Sequence, residues 1–222
     1  MTKTEFVEHL KGLGDVYISY APFTKQIEDF NNKGIKIVSV RDASYIRLHG
    51  NNRDYTRTCH APVCTKDSPT IVARISPLIE NLEMAGQAVD VHRNNPYCVF
   101  DNEKHIYAQF EKIAEEDKNK SPEERRAIIL PEREDYRIHR DSDEAMFFWQ
   151  GTRKDYFNKF VSGDTDTVPC RQISIDDVDS ANGTIINYIG FSSPVVESGL
   201  CFRGRNLNND IKLRALGVLR VC

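Results

Sequence analysis

The hydrophobic and polar positions of the first forty residues predict helix, strand, helix and strand in turn. Phe6, Leu10 and Leu13 recur at helical spacing and glycines follow them, so a short first helix is expected. Apolar patterning then predicts a strand, a helix and a second strand over 16–20, 24–33 and 35–40. This β-α-β order is typical of two parallel strands joined by a crossover helix.

The next segment predicts an antiparallel hairpin. Its strands are expected over 45–49 and 55–58, and residues 50–54 supply the glycine and asparagines that tight turns favour. A further strand is predicted over 70–75. A helix capped by Ser76 should follow it.

The middle of the chain is predicted to be largely helical. Apolar stripes indicate a helix over 102–117, and Ser121 begins a short one. Aromatic residues at helical spacing on both sides of Gly151 are more typical of core packing than of a ligand site. The charged segment 131–143 is expected to be a long surface loop, and it is the position at which the chain would divide if it held two domains.

The last fifty residues predict an antiparallel sheet. Its strands are expected over 171–175, 184–191, 199–205 and 211–221, with turn residues between them. The final strand should have one buried face and one wet face carrying Lys212, Arg214 and Arg220. The expected fold class is therefore α+β, mainly an antiparallel sheet with a helical middle segment packed on it, in a single domain over 1–222.

Composition supports a globular chain and excludes several classes of protein. Of 222 residues, 40% are hydrophobic and 28% are charged, which suits a domain with a sizeable core. A net charge of -3 gives no global attraction to nucleic acid or anionic membrane. No apolar run reaches the length of a membrane helix, and the N-terminus lacks the pattern of a signal peptide, so a cytoplasmic protein with reduced cysteines is expected.

One short segment crowds Cys59, His60 and Cys64 together. Structural zinc requires four ligands, and consecutive residues of a strand point to opposite faces, so this spacing argues against zinc. The residues that would complete a zinc site are His49, His92 or Cys98. A thiol nucleophile beside a histidine is the alternative chemistry for this segment. We predict neither a metal nor a cofactor, and no catalytic residue is assigned.

Basic residues interleaved with aromatic residues form the candidate binding surface. Such side chains stack on partners and neutralise their charge. The chain contains no glycine-rich phosphate loop, which argues against a standard nucleotide enzyme, so a protein partner or self-association is favoured over a nucleotide or nucleic acid. The candidate binding residues are Arg53, Tyr55, Arg57 and His60, with Arg203 and Arg205 as second choice.

Two short stretches resemble known families. The run 148–152, Phe-Trp-Gln-Gly-Thr, followed by Phe-Ser-Ser at 191–193, resembles the first two motifs of ADP-ribosyltransferases, with Gln150 where that family has histidine or arginine. This resemblance implies a degenerate transferase. The closing run from Cys201 to Val221 is similar to the final strands of C-type-lectin-like domains, although it lacks their tryptophans. Both resemblances are short, and neither assigns the chain to a family.

These observations favour a non-enzymatic binding or assembly protein that acts through protein-protein contacts, as an oligomer or with a partner. An unfamiliar sequence without enzyme motifs also suits an accessory or structural protein of a phage or mobile element. The alternatives are a thiol- or metal-dependent hydrolase and the degenerate ADP-ribosyltransferase-like enzyme. A cleft that holds one of the cysteines beside a histidine would favour an enzyme.

Overall fold

The computed structural model confirms the predicted α+β class, with helices and sheets in one chain. It describes residues 4–51, 54, 56–80, 98–100, 104–161, 166–181, 183–187, 189–191, 199–202 and 215–219. Within these ranges, no helix combines the length and the apolar character that crossing a bilayer requires.

The helices are short and alternate with strands along the chain. They are α1 (Phe23–Asn32), α2 (Val40–His49), α3 (Pro77–Glu80), α4 (Lys104–Asp117), α5 (Asp143–Trp149), α6 (Arg153–Phe160) and α7 (Ile175–Ser180). Single 3-10 turns occupy Pro122–Glu124 and Gln150–Thr152. Serine hydroxyls cap α2, α5 and α7 by accepting a hydrogen bond from a backbone N–H three residues ahead.

Two sheets form the framework, and many neighbouring strands in them are antiparallel. The strands are β1 (Glu5–Leu10), β2 (Gly14–Ser19), β3 (Lys36–Ile37), β4 (Thr56–Arg57), β5 (Ala61–Cys64), β6 (Ile71–Ala73), β7 (Cys98–Phe100), β8 (Ala127–Ile129), β9 (Tyr136–His139), β10 (Thr167–Arg171), β11 (Thr184–Ile186), β12 (Gly190–Phe191), β13 (Leu200–Cys201) and β14 (Ala215–Leu219). The first sheet has the order β1-β2-β14-β4-β12-β13-β10-β9, with β3 also on β14. The second has the order β7-β11-β5-β6-β8.

The predicted β-α-β opening is present as β2, α1 and β3, but β14, from the other end of the chain, lies between β2 and β3. Both β2 and β3 pair antiparallel with β14, and Gly217 faces Tyr17 on one side and Ile37 on the other. The strands β2 and β3 are therefore parallel to each other without being neighbours. The first sheet therefore pairs strands from the two ends of the described chain.

The core consists of one large apolar cluster and smaller ones. The large cluster extends from Leu10 near the start of the chain to Val218 near its end. A second cluster lies where α4 packs on the second sheet, and it includes Ala61, Val63 and Ile106. The described chain is thus held together by contacts between segments that are far apart in sequence.

The aromatic residues around Gly151 lie in the core, as predicted. Phe147, Phe148, Trp149, Tyr156 and Phe157 are all fully buried. The neighbouring guanidinium of Arg47 is buried as well and lies 3.7 Å from the centre of the Phe191 ring. It donates hydrogen bonds of 3.1 Å to the Tyr156 hydroxyl and 2.9 Å to the Phe191 carbonyl. These contacts join α2, α6 and β12.

The prediction of a first helix around Phe6 is wrong. Residues Glu5–Leu10 form strand β1, which makes an antiparallel hairpin with β2. Of the glycines expected to end a helix, Gly12 lies in the hairpin turn with a φ of +86° that other residues seldom adopt, and Gly14 begins β2. Pairing with β2, which itself pairs with β14, outweighs the local helical spacing.

The prediction of a hairpin over 45–58 is also wrong in its first half. Residues 45–49 belong to helix α2, because Ser39 and Asp42 form a capping box that begins this helix at Val40. The second expected strand is confirmed in part as β4. The predicted strand over 35–40 is shortened to β3 by the same capping box.

Two further expectations fail in the second half of the chain. The charged segment 131–143 is not one long loop, since it contains β9, which pairs antiparallel with β10. The described part of the last strand has no wet face, because Ala215, Leu216 and Val218 are each at most 3% exposed. The basic residues Lys212, Arg214 and Arg220 lie outside the described residues.

Candidate binding cleft

The structure places the two described candidate binding residues in the interior. The Arg57 side chain is 2% exposed, donates a 2.9 Å hydrogen bond to Gln26 Oε1 and lies 5.1 Å from the Phe23 ring centre. His60 is fully buried against the rings of Phe147 and Phe148. Each is thus part of the packing between elements. The other four candidates, Arg53, Tyr55, Arg203 and Arg205, lie outside the described residues.

Cys59 and His60 lie side by side, Cys59 partly buried and His60 fully buried, and burial shifts the pKa of each toward its neutral form. The Cys59 sulfur is 3.9 Å from His60 Nδ1 and 3.4 Å from the Arg74 carbonyl oxygen. Burial raises the pKa of the Cys59 thiol to about 12, with a further rise from the charge of Asp42. Burial, with the nearby Arg74 charge, lowers the pKa of His60 to about 3. A thiolate–imidazolium pair is therefore disfavoured here at neutral pH.

The other members of the cysteine-rich segment lie apart. Cys64 is buried at the end of β5, with its sulfur 3.6 Å from the Thr70 hydroxyl, and burial raises the pKa of its thiol to about 11. His49 lies at the end of α2, with its ring against Tyr45. Across the described part of the chain, no three His, Cys, Asp or Glu side chains lie close enough together to hold a metal ion. His92 and the side chain of Cys98 fall outside that part.

Cys59 also forms part of the wall of a surface cleft of about 700 Å³. The cleft lies between α1, β3, the start of α2, β14, α3 with the residues that lead into it, and the residue that follows α5. Its apolar lining comes from Ile27, Phe30, Ile35, Ile37, Ile75 and Ile79. Ile75 is 49% exposed, so a large apolar side chain faces solvent at the mouth. We refer to this region as the Ile75 cleft.

Charged side chains surround the apolar surface of the Ile75 cleft. The cations are Lys36, Arg41 and Arg74, and the carboxylates are Asp42 and Glu80. Asp42 accepts a 2.9 Å hydrogen bond from the Ser39 hydroxyl in the capping box. Arg74 is held in place because its guanidinium donates to the carbonyl oxygens of Arg125, at 2.7 Å, and Pro122, at 3.2 Å.

Arg41 differs from Arg74 in how firmly it is held. Its side chain is 41% exposed, and its guanidinium lies 3.9 Å from the Asp42 carboxylate. The 3.9 Å separation is long for an ion pair, and the exposed guanidinium is screened by water, so the attraction is weak. Arg41 is consequently the cleft arginine that is freer to reorient toward an incoming group.

Gln150 forms another part of the wall. It ends α5 with a φ of +47°, which is uncommon for any residue other than glycine. Its side-chain amide donates a 3.3 Å hydrogen bond to the Glu123 carbonyl oxygen. The segment that resembles an ADP-ribosyltransferase motif thus has Trp149 in the core and Gln150 beside the cleft.

Sequence reasoning did not identify the Ile75 cleft. Its walls come from segments that are distant along the chain, so no local motif marks it. The one signal present was the Ser39–Asp42 capping box, which would have placed Arg41 in the first turn of a helix instead of in a strand.

Comparisons with known proteins identify the fold. No family model matches the chain, and no curated protein shows significant similarity to it. A solved structure described as "Accommodation of massive sequence variation in Nanoarchaeota by the C-type lectin fold" is similar over the whole length, with a TM-score of 0.56 and 10% identity. The match covers 99% of this chain and 98% of that one. The chain therefore has the C-type lectin fold, which agrees with the resemblance of its closing strands.

Proposed function

We propose that this chain is a non-enzymatic binding protein that recognises a protein partner through the Ile75 cleft. The observation that carries the proposal is the chemistry of the cleft wall. It combines exposed apolar surface with charged groups, while the Cys59 thiol and the His60 imidazole beside it are held neutral. Such a wall suits contact with a partner better than nucleophilic attack.

The fold supports the same proposal. The similar structure is described as accommodating massive sequence variation, and a scaffold that tolerates variation suits recognition surfaces. The partner is another protein or a second copy of this chain, as in an accessory or structural protein of a phage or mobile element. A cytoplasmic location belongs to this proposal too.

Photo-cross-linking tests the proposal directly. Benzoylphenylalanine replaces Ile75 in one sample and Lys112, an exposed residue of α4 outside the cleft, in another. Each purified protein is irradiated in extract of its native host, and cross-linked species are identified by mass spectrometry. We expect a discrete adduct at position 75 that is absent at 112.

The identified partner is then purified and titrated against wild type and Ile75→Arg. A charged side chain at the centre of the contact should weaken binding by about tenfold or more. Identical adducts from both positions, or equal affinity of the two proteins, would overturn the proposal.

A further inference from the structure

We infer that the group entering the Ile75 cleft is an extended acidic segment of the partner, in which an apolar side chain stands next to a carboxylate. This inference rests on the proposed function and adds the chemistry of the partner. Two observations support it: apolar surface is exposed at the mouth of the cleft, and cations outnumber carboxylates in its lining.

The exposed apolar surface of the Ile75 cleft is the reason to expect an apolar side chain in the partner's segment. Ile75 is about half exposed, and Ile37 and Ile79 are partly buried, so each still offers apolar area to a partner. The neighbouring Ile27, Phe30 and Ile35 are almost completely buried and form a rigid floor. An apolar side chain resting on this floor would cover Ile75 and remove it from water, which is favourable.

The excess of cations in the Ile75 cleft is the reason to expect a carboxylate in the partner's segment. Three cations face two carboxylates, and one of those carboxylates, Asp42, is already engaged by Ser39. Arg74 is also engaged, because its guanidinium bonds two carbonyl oxygens and lies 4.5 Å from the Phe147 ring centre. Arg41 is half exposed and only loosely paired, so it is the residue best placed to form a bidentate contact with a carboxylate.

The shape of the cleft favours a segment of a larger partner over a free small molecule. Asn31, Lys36, Ile75 and Glu80 line the cleft and are exposed, so the cleft is open to solvent along its mouth. A site for a small molecule usually covers about 70–90% of its ligand. An open cleft leaves most of its occupant accessible, which suits a chain that continues beyond the site.

Panning a random twelve-residue peptide library displayed on phage provides the test. The folded baits are wild type, Arg41→Glu, Ile75→Asn and the control Lys112→Glu, each checked by circular dichroism. We expect wild type and the control to enrich peptides with an apolar residue beside Asp or Glu. Ile75→Asn should lose this enrichment, and Arg41→Glu should select Lys or Arg at the acidic position.

The charge reversal separates recognition from folding, since a misfolded bait cannot acquire a new basic preference. A synthetic peptide of the enriched sequence should bind Arg41→Glu about tenfold more weakly than wild type, with the difference reduced at high salt. Enriched peptides without acidic residues, the same peptides on Arg41→Glu, or no enrichment at all would overturn the inference. A specific adduct at position 75 would still support the proposed function in those cases.

Discussion

Burial determines the chemistry of individual residues in this protein. Arg57 and His60, which carry charge or titrate in water, are buried between elements, Arg57 near the Phe23 ring and His60 against the rings of Phe147 and Phe148. Removing a polar side chain from water favours its neutral form or requires a hydrogen-bond partner. Residue type alone therefore did not indicate whether either side chain reaches a partner.

The raised pKa of the Cys59 thiol predicts slow alkylation. At pH 8 a thiol with a pKa of about 12 has about a thousandfold less thiolate than one at the ordinary value of 9.0. Iodoacetamide labelling followed by peptide mass spectrometry should show Cys59 reacting far more slowly in native protein than in urea, with Cys59→Ser confirming the peptide. Rapid native labelling would revive the thiol-hydrolase alternative.

Asp117 is expected to stabilise the end of α4. Its side chain is fully buried and accepts hydrogen bonds from Arg126 N at 2.8 Å and Nε at 2.9 Å, while Lys120 Nζ lies 2.7 Å away. Asp117→Asn should lower the free energy of unfolding at pH 7 by about 2 kcal/mol, because hydrogen bonds to a charged group are lost. Urea titration measures this change. Glu115→Gln, which removes an exposed ion pair, is the control and should have little effect.

The same carboxylate predicts a pH dependence. Hydrogen bonds from Arg126 and Lys120 hold the pKa of Asp117 well below its ordinary value of 3.8. The unfolded chain therefore binds this proton more readily, so the stability from Asp117 is complete above the ordinary value and is lost as pH falls below it. The difference between wild type and Asp117→Asn should shrink in acid. A constant difference from neutral pH to pH 2 would contradict this account.

At the scale of elements, Gly217 allows α1 and β3 to pack on β14. A Cβ atom at this position would overlap Ile35 Cγ2 and lie 3.0 Å from Phe30 Cε2. Gly217→Ala should therefore lower the free energy of unfolding by about 1–3 kcal/mol, since overpacking forces these elements apart. Thermal and urea unfolding measure the change.

Gly151 provides the matched control for that substitution. A Cβ atom there has no neighbour within 4 Å, so Gly151→Ala should change stability by less than about 0.5 kcal/mol. Equal effects of the two substitutions would show that close packing is not the reason for glycine at 217.

Two helices were predictable from the spacing of their apolar residues alone, whereas α2, which begins at a capping box, was predicted as strand. Helix α4 follows its apolar stripe, and α1 follows the spacing of Phe23, Ile27 and Phe30. By contrast, β1 has helical spacing but pairs with β2, and its Phe6 side chain is 57% exposed. Apolar spacing predicts the type of element only where those apolar residues are buried, because an exposed apolar residue is not constrained to one face.

At the scale of the whole molecule, the large core cluster predicts cooperative unfolding. Trp149 is the only tryptophan of the chain, is fully buried and belongs to this cluster, which extends from Leu10 to Val218. Urea transitions followed by its fluorescence and by far-ultraviolet circular dichroism should coincide. Two separate midpoints would instead indicate two domains, with the segment 131–143 as the predicted boundary.

The local sequence pattern was sufficient to predict the α+β class, the buried aromatic helices and the strands β2 and β6. A buried face requires apolar residues at the period of its helix or strand, and that spacing is visible in the sequence. The tertiary structure decided where β14 inserts, which arginines lie in the core, and that a cleft forms at Ile75. These features depend on contacts between distant segments, such as the hydrogen bond from Leu216 N–H to the Thr56 hydroxyl. No local pattern contains such a contact, since both partners must first be brought together by folding.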